Sequence, residues 1–265
     1  MYCDYHFHTC FSSDSTAPVE DQIRRAIVLG MTQICITDHQ DFDFPPGELT
    51  FQFDTEEYFR ILRPLQEKYR DQICLKIGVE LGIQPSLGEK LAAYYKEYPF
   101  DYCIGSTHLV RRMDPYEAEY WKGRPVTKAL REYFEEVFTN IQAFPDADSL
   151  GHLDYAVRYA PNREGYDWKN YQDVIDETLK FLIRKDICLE CNTAGFKAGL
   201  GHPNPTEGIL KRYKELGGEA ITLGSDGHEP AYLGQHFDRI GELLKGCGFH
   251  EYVIFEKHRP RVLPL

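Results

Sequence analysis

Residues 2–39 read YCDYHFHTCFSSDSTAPVEDQIRRAIVLGMTQICITDH. They contain one complete strand–helix–strand unit. Residues 2–7 read as a strand. Residues 18–29 read as an amphipathic helix, with Ser15 or Thr16 as the expected cap, acids at Glu20 and Asp21 in the first turn, and Gly30 as the stop. Residues 33–37 (QICIT) form a second short apolar strand. The same alternation continues along the chain. Strands are expected at 73–81, 102–106, 149–151, 187–192, 220–223 and 252–255. Helices are expected at 55–68, 87–98, 127–144, 171–184, 206–215 and 233–245. Seven or eight β/α units in one chain argue for a parallel sheet with helices outside it, and favour a barrel over an open sheet. The 265 residues fit one α/β barrel domain, so residues 1–265 are taken as a single domain. Two long polar loops, 40–54 and 111–125, interrupt the pattern; loops of this length in a compact domain are often functional.

Composition narrows the classes. The chain is 42% apolar, 27% charged and 14% aromatic, which excludes disorder, collagen-like repeats and coiled coil. Its net charge of −12 argues against a nucleic-acid partner, whose affinity rests on neutralising phosphates. The longest stretch without Asp, Glu, Lys or Arg is 26–37, too short for a membrane span. The N-terminus has neither a basic region nor an apolar one of signal-peptide type. Eight cysteines without such a signal suggest reduced thiols in the cytoplasm. Most lie in apolar runs and read as small buried hydrophobes.

The chemistry lies at the strand ends. In a parallel barrel the active site forms at the C-terminal ends of the strands. Read to their ends, the strands deliver His6 and His8, Asp38 and His39, Glu80, His108, His152 and Asp154, Glu190 and Asn192, then Asp226 and His228. Seven of the ten histidines (6, 8, 39, 108, 152, 202 and 228) fall at such ends or just beyond them. His6-Phe7-His8 places two imidazoles on one face of a strand. Glu80 ends an apolar strand, where a lone carboxylate is costly unless paired or metal-bound. Gly224-Ser225-Asp226-Gly227-His228 sets a carboxylate and an imidazole two apart between glycines. Imidazoles and carboxylates together suit Zn²⁺, Mn²⁺ or Fe²⁺. The set is too large for one tetrahedral ion, so two or three divalent ions are expected, with Glu80 shared between two of them.

The ordered set His6-Phe7-His8-Thr9, Thr37-Asp38-His39, Gly78-Val79-Glu80, Ser106-Thr107-His108, Gly151-His152 and Gly224-Ser225-Asp226-Gly227-His228 resembles the polymerase and histidinol phosphatase (PHP) superfamily over essentially the whole chain. Within it, Asn192-Thr193-Ala194-Gly195-Phe196-Lys197 followed by His202-Pro203, and the lack of appended domains, look most like the histidinol-phosphate phosphatases. The resemblance implies a distorted (β/α)7 TIM-like barrel with a trinuclear centre. One ion would take His6, His8, Glu80 and Asp226. A second would share Glu80 with His108 and His152. A third would take His39 and His228. Many relatives add a histidine from the loop after the first strand; here Ser12-Ser13-Asp14-Ser15 stands there, and Asp14 is the candidate.

The implied activity is hydrolysis of L-histidinol phosphate in histidine biosynthesis. A metal-bridging hydroxide would attack phosphorus, and Glu80, Asp226 and His228 would be the catalytic residues. The expected partner is a small phosphorylated substrate, with no nucleic acid or membrane; a homo-oligomer is compatible with the outer helices. Lys197, then Arg158 and Arg163, then Arg111 and Arg112, are candidates to hold the phosphate. Asp41, Asp43 or Glu117 could meet the substrate amine. Asp154 and Glu190 read as groups that orient the metal-bound histidines. Trp121 and Tyr120 read as loop packing, and His236, His250 and His258 as surface residues. Two other readings stand beside this one: a PHP phosphoesterase for nucleotides or another small phosphomonoester, and an amidohydrolase-type deaminase, which usually bridges its metals with a carbamylated lysine. A non-catalytic metal-binding barrel is the third, and the full ligand set speaks against it.

Overall fold

The computed structural model describes residues 2–47 and 49–265; Met1, and Glu48 within the 40–54 loop, lie outside the described residues. The parallel strands are β1 (Gln33–Ile36), β2 (His39–Gln40), β3 (Cys74–Gly82), β4 (Tyr102–Ser106), β5 (Ser149–Leu150), β6 (Cys188–Asn192) and β7 (Ile221–Gly224). Their order is β1-β3-β4-β5-β6-β7, with β2 continuing the β1 stave along β3. The first residues complete the ring. On one side Tyr5 N donates to Leu223 O (3.0 Å), Asp226 N to His6 O (2.7 Å) and His8 N to Gly227 O (3.0 Å). On the other, Cys35 N donates to Asp4 O (3.0 Å) and Thr37 N to Phe7 O (3.1 Å). The N-terminal segment is therefore the seventh stave, and the fold is a distorted TIM-like barrel in a single domain.

The helices outside are α1 (Val19–Val28), α2 (Thr55–Tyr69), α3 (Gly88–Glu97), α4 (Ala118–Trp121), α5 (Val126–Ala143), α6 (Gln172–Lys185), α7 (Ala194–Lys197), α8 (Glu207–Glu215) and α9 (Phe237–Gly246). Helix α1 buries Val19, Gln22, Ile23 and Ala26, the i, i+3, i+4, i+7 stripe that an amphipathic helix turns to its core. Its start differs from the expectation. Pro18 occupies the cap position and has no polar side-chain atom to cap with, while the Ser15 hydroxyl donates to His228 O at 2.8 Å. The last outer helix begins at Phe237 rather than 233, after a short 3-10 turn at Pro230–Tyr232 and His236 at φ 61°.

The expected strand at 252–255 exists but is not a barrel stave. It lies within β8 (Glu251–Glu256), which pairs antiparallel with β9 (Arg259–Pro264). Lys257 and His258 both have positive φ, as a two-residue type I′ turn requires. Strand β9 carries Arg259, Pro260 and Arg261 on an exposed edge, so no apolar alternation marks it in sequence. The hairpin packs across the barrel end opposite the strand termini. Phe255 stacks on Tyr102 with centroids 5.1 Å apart, and its carbonyl accepts from Tyr5 Oη at 2.7 Å. Burying a ring of this size contributes about 1.5–3 kcal/mol. Sealing that end leaves the mouth at the C-terminal ends of the strands as the place for chemistry.

Candidate metal centre

Each stave ends by releasing a polar side chain into the mouth. Glu80 is the hub. It has no exposure to solvent, and it is paired in register with His39 on the neighbouring strand. Its Oε2 lies 2.9 Å from His39 Nδ1, 3.2 Å from His6 Nε2 and 3.5 Å from His8 Nε2. Its Oε1 lies 3.0 Å from His152 Nε2 and 3.2 Å from His108 Nε2. One carboxylate thus faces five imidazoles. Asp226 Oδ1 approaches His8 Nε2 at 3.4 Å and His6 Nε2 at 3.9 Å. Asp14, from the loop after the N-terminal stave, lies 3.1 Å from His228 Nε2 and 3.7 Å from His39 Nε2.

These side chains fit divalent ions. His6 Nε2, His8 Nε2, His39 Nδ1, His228 Nε2 and Glu80 Oε2 are buried and have no hydrogen-bond partner among the described residues. Buried polar atoms are normally satisfied. Lone pairs that converge without hydrogen-bond geometry are what a coordinated cation requires. Three of the clusters formed are His6 with His8 and Glu80, Glu80 with His108 and His152, and His8 with His39 and His228. The expected nine residues, His6, His8, Asp14, His39, Glu80, His108, His152, Asp226 and His228, are brought together at one mouth.

Electrostatics follows from this crowding. Burial would raise the Glu80 pKa, but His6, His39 and His108 outweigh it and hold the carboxyl well below its usual range. Burial would lower His6, yet Glu190, Glu80 and Asp226 hold it well above the ordinary histidine value. Burial likewise opposes charge on His39, while Glu80 and Asp14 raise it to about 9. His8 is pushed well below, first by burial and then by His228 and His39.

Behind the ring stand groups that aim it. Glu190 Oε1 lies 2.6 Å from His6 Nδ1, and Oε2 accepts from His152 N at 2.7 Å. Gly224 makes room for this pair: a Cβ there would come within 2.3 Å of Glu190 Oε1 and 2.4 Å of His6 Cβ. Asp41 Oδ2 lies 2.6 Å from His108 Nδ1. One of three groups that could meet the substrate amine, it pairs with His108 through this oxygen and still lines the cavity. Gly82 allows this, since a Cβ there would meet the Asp41 carboxyl at 2.4 Å. Asp154 is turned away from the ligand set and accepts from Asn204 Nδ2 and from Thr206 N at 3.1 Å.

A cavity of about 730 Å³ opens above the ring, lined by Asp14, His39, Asp41, His108, His152, Asp226 and His228 at its floor. Phe44, Phe51, Tyr116, Tyr155 and Tyr159 form much of its wall, with Asp114, Glu117 and Arg112 among them. Arg158 also lines it. This guanidinium is buried and donates to Asp226 Oδ2 at 2.8 Å, Asn204 Oδ1 at 2.8 Å and Asn192 Oδ1 at 3.0 Å.

The other phosphate candidates are placed differently. Lys197 does not line the cavity: it is exposed, with its ammonium 3.6 Å from the centre of the Tyr232 ring. Arg163 does not line it either and donates to Arg158 O at 2.8 Å. Arg111 and Asp43 also lie outside the lining. His202 stays apart from the ring, with Nδ1 2.6 Å from Pro203 O. Tyr120 and Trp121 are buried; Trp121 donates to Pro115 O and Tyr120 to Ala129 O, so the 111–125 loop is packed by its own aromatics. His258 is half-buried and pairs with Asp148 at 2.7 Å beside the hairpin turn, far from the mouth.

A parallel barrel that gathers imidazoles around one buried carboxylate at its C-terminal mouth is built to hold divalent ions. Residues 4–194 match the PHP domain, and the chain belongs to that family. It is 34% identical over 256 residues to the histidinol-phosphatase of Lactococcus lactis, covering 95% of this chain and 93% of that one. A probable histidinol-phosphatase of Clostridium acetobutylicum is 36% identical over 259 residues, covering 97% and 98%. The crystal structure of histidinol phosphate phosphatase from L. lactis, complexed with zinc, L-histidinol and phosphate, superposes with a TM-score of 0.91 at 32% identity, covering 98% of this chain and 100% of that one.

Proposed function

We propose that this chain is a metal-dependent phosphomonoesterase whose substrate is L-histidinol phosphate. The observation that carries the reading is Glu80, a solvent-free carboxylate facing five imidazoles beneath an open cavity. Full-length similarity to histidinol-phosphatases supports the substrate, and zinc in the L. lactis complex supports Zn²⁺ among the ions.

The residues would divide as follows. His6, His8, Glu80 and Asp226 hold one ion. Glu80, His108 and His152 hold a second, and Asp14, His39 and His228 a third. When bound, such ions neutralise phosphoryl oxygens and make water more acidic. Glu80, Asp226 and His228 carry the catalytic role by fixing the reacting centre. Arg158 keeps Asp226 ionised and adds positive charge beside the phosphate position. The aromatic wall excludes bulk water. Asp114, whose burial raises its carboxyl to about 6, and Glu117 face the substrate's cationic end.

The net charge of −12 favours a small substrate over nucleic acid. No helix among the described residues is long and apolar enough to cross a membrane. The eight cysteines are free thiols, in keeping with the reducing cytoplasm.

The test is phosphate release from a panel of phosphomonoesters, with elemental analysis of the same preparation. A kcat/KM for L-histidinol phosphate far above the rest, with two to three ions per chain, is expected. Equal rates across nucleotides and sugar phosphates would discard the substrate and keep the reaction class.

A further inference from the structure

Asp38 is fully buried at the end of the β1 stave and holds no place in the ligand set. We propose that Asp38, acting through Ser12, is a positioning group that fixes the ring proton of His8 on Nδ1 and seats Asp14 in the same mouth. The proposal rests on the reading of this mouth as a metal centre.

The hydrogen bonds leave one arrangement of protons. Asp38 Oδ1 accepts from Thr9 N at 2.6 Å and from Ser12 N at 3.1 Å. Backbone N–H groups only donate, so this oxygen is an acceptor. Asp38 Oδ2 accepts from Thr9 Oγ1 at 2.8 Å. Ser12 Oγ has one proton and three neighbours: Asp38 Oδ1 at 2.7 Å, His39 N at 3.0 Å and His8 Nδ1 at 3.0 Å. Its proton goes to Asp38, because that oxygen has none to give. Its lone pairs then receive the His39 N–H and the proton on His8 Nδ1. His8 Nε2 is left bare, and it is the atom that faces Asp226 Oδ1 and Glu80 Oε2 without a hydrogen bond. A proton on Nε2 instead would set two lone pairs against each other at Ser12 and put an N–H where an ion belongs.

The same carboxylate anchors the loop. Ser12 N also approaches Thr9 O at 3.0 Å, and Ser15 N donates to Ser12 O at 2.9 Å. That turn delivers Asp14 to His228 and His39. Asp38 thus serves two ion positions while touching neither. Groups that orient metal-bound histidines typically carry 10–100-fold in metal affinity.

The test uses zinc-loaded protein with ¹⁵N-labelled histidine. Long-range ¹H–¹⁵N spectra should show His8 protonated at Nδ1. Ser12→Ala should lose that single state and bind zinc about 10–100-fold more weakly in chelator competition, while Ser12→Thr, which restores the hydroxyl, should recover both. Asp38→Asn keeps the acceptor oxygen but not the charge and should fall between. His8 protonated at Nε2 in the wild type, or Ser12→Ala binding zinc as the wild type does, overturns the proposal. If Ser12→Ala does not fold, the wild-type spectrum alone decides. Wild type that binds zinc yet hydrolyses no phosphomonoester would remove the phosphatase reading and leave this assignment standing.

Discussion

Glu190 holds His6 from behind: its Oε1 lies 2.6 Å from His6 Nδ1, on the opposite edge of the ring from Glu80. The contact fixes which nitrogen of His6 faces the mouth. Glu190→Gln keeps the shape and removes the charge. It should weaken metal binding by about 10–100-fold, with a parallel loss of kcat. Chelator competition and elemental analysis read the first, and steady-state kinetics the second. Unchanged metal affinity would show that His6 needs no such support.

Arg158 is the second place where a buried charge is committed. Removing it strips Asp226 of its cationic partner and Asn204 Oδ1 of its donor, while Asn192 Oδ1 keeps Ala194 N at 2.9 Å. Breaking a buried ion pair by deleting one partner costs about 3–5 kcal/mol. Arg158→Ala should therefore lower unfolding stability by that amount in denaturant titrations. Arg158→Lys should recover only part, since a lysine cannot present the planar fork.

Lys197 lies outside the cavity, over Tyr232. Lys197→Ala should leave KM, kcat and metal content within about twofold of the wild type, as surface substitutions usually do. A tenfold rise in KM would bring the residue back to the phosphate.

The pH dependence of the metal-free chain follows from His39. Its pKa in the fold is about 9, against 6.5 ordinarily: burial opposes the charged ring, but Glu80 and Asp14 overcome it. A raised folded-state pKa means that its contribution to stability is complete below 6.5 and is lost as pH rises through about 9. The metal-free chain should lose this contribution across that window in thermal melts. An imidazole must shed its proton to coordinate, so zinc binding near pH 8 should release protons and weaken as pH falls. Calorimetry in buffers of different ionisation enthalpy measures the release; none at all would contradict the ion pairing.

Arg111 and Arg112 occupy the two central positions of a turn whose flanks, Val110 and Met113, pair antiparallel, and both have positive φ. Left-handed backbone costs about 1–2 kcal/mol per ordinary residue. Replacing the pair by Asn-Gly should raise Tm. It should also raise KM, because the cavity loses Arg112 from its wall. A lower Tm would mean that the arginine side chains stabilise the turn.

The ligand ring was legible because strand ends are where apolar runs stop. His39, Glu80, His108 and Asp226 each follow such a run, and a costly polar residue there marks a site. The helices α2, α5 and α6 announced themselves by period and length. What sequence hid was partnership. Nothing in the string says that Asp41 pairs with His108, since that depends on two loops meeting above Gly82. Lys197 looked favourable because it follows a strand, but the short helix α7 turns it outward onto Tyr232. Strand β9 was invisible because an exposed edge strand needs no apolar pattern.

The seventh stave precedes α1 in sequence, and it zips to the last parallel strand: Tyr5 to Leu223, His8 to Gly227. On the ribosome His6 and His8 therefore emerge well before Asp226 and His228. A nascent chain that stops before β7 has nothing to hold this N-terminal strand on one side, and its two histidines have Glu80 but lack Asp226. Capture of metal in this arrangement then waits for β7, and it reports that two segments far apart in sequence have met.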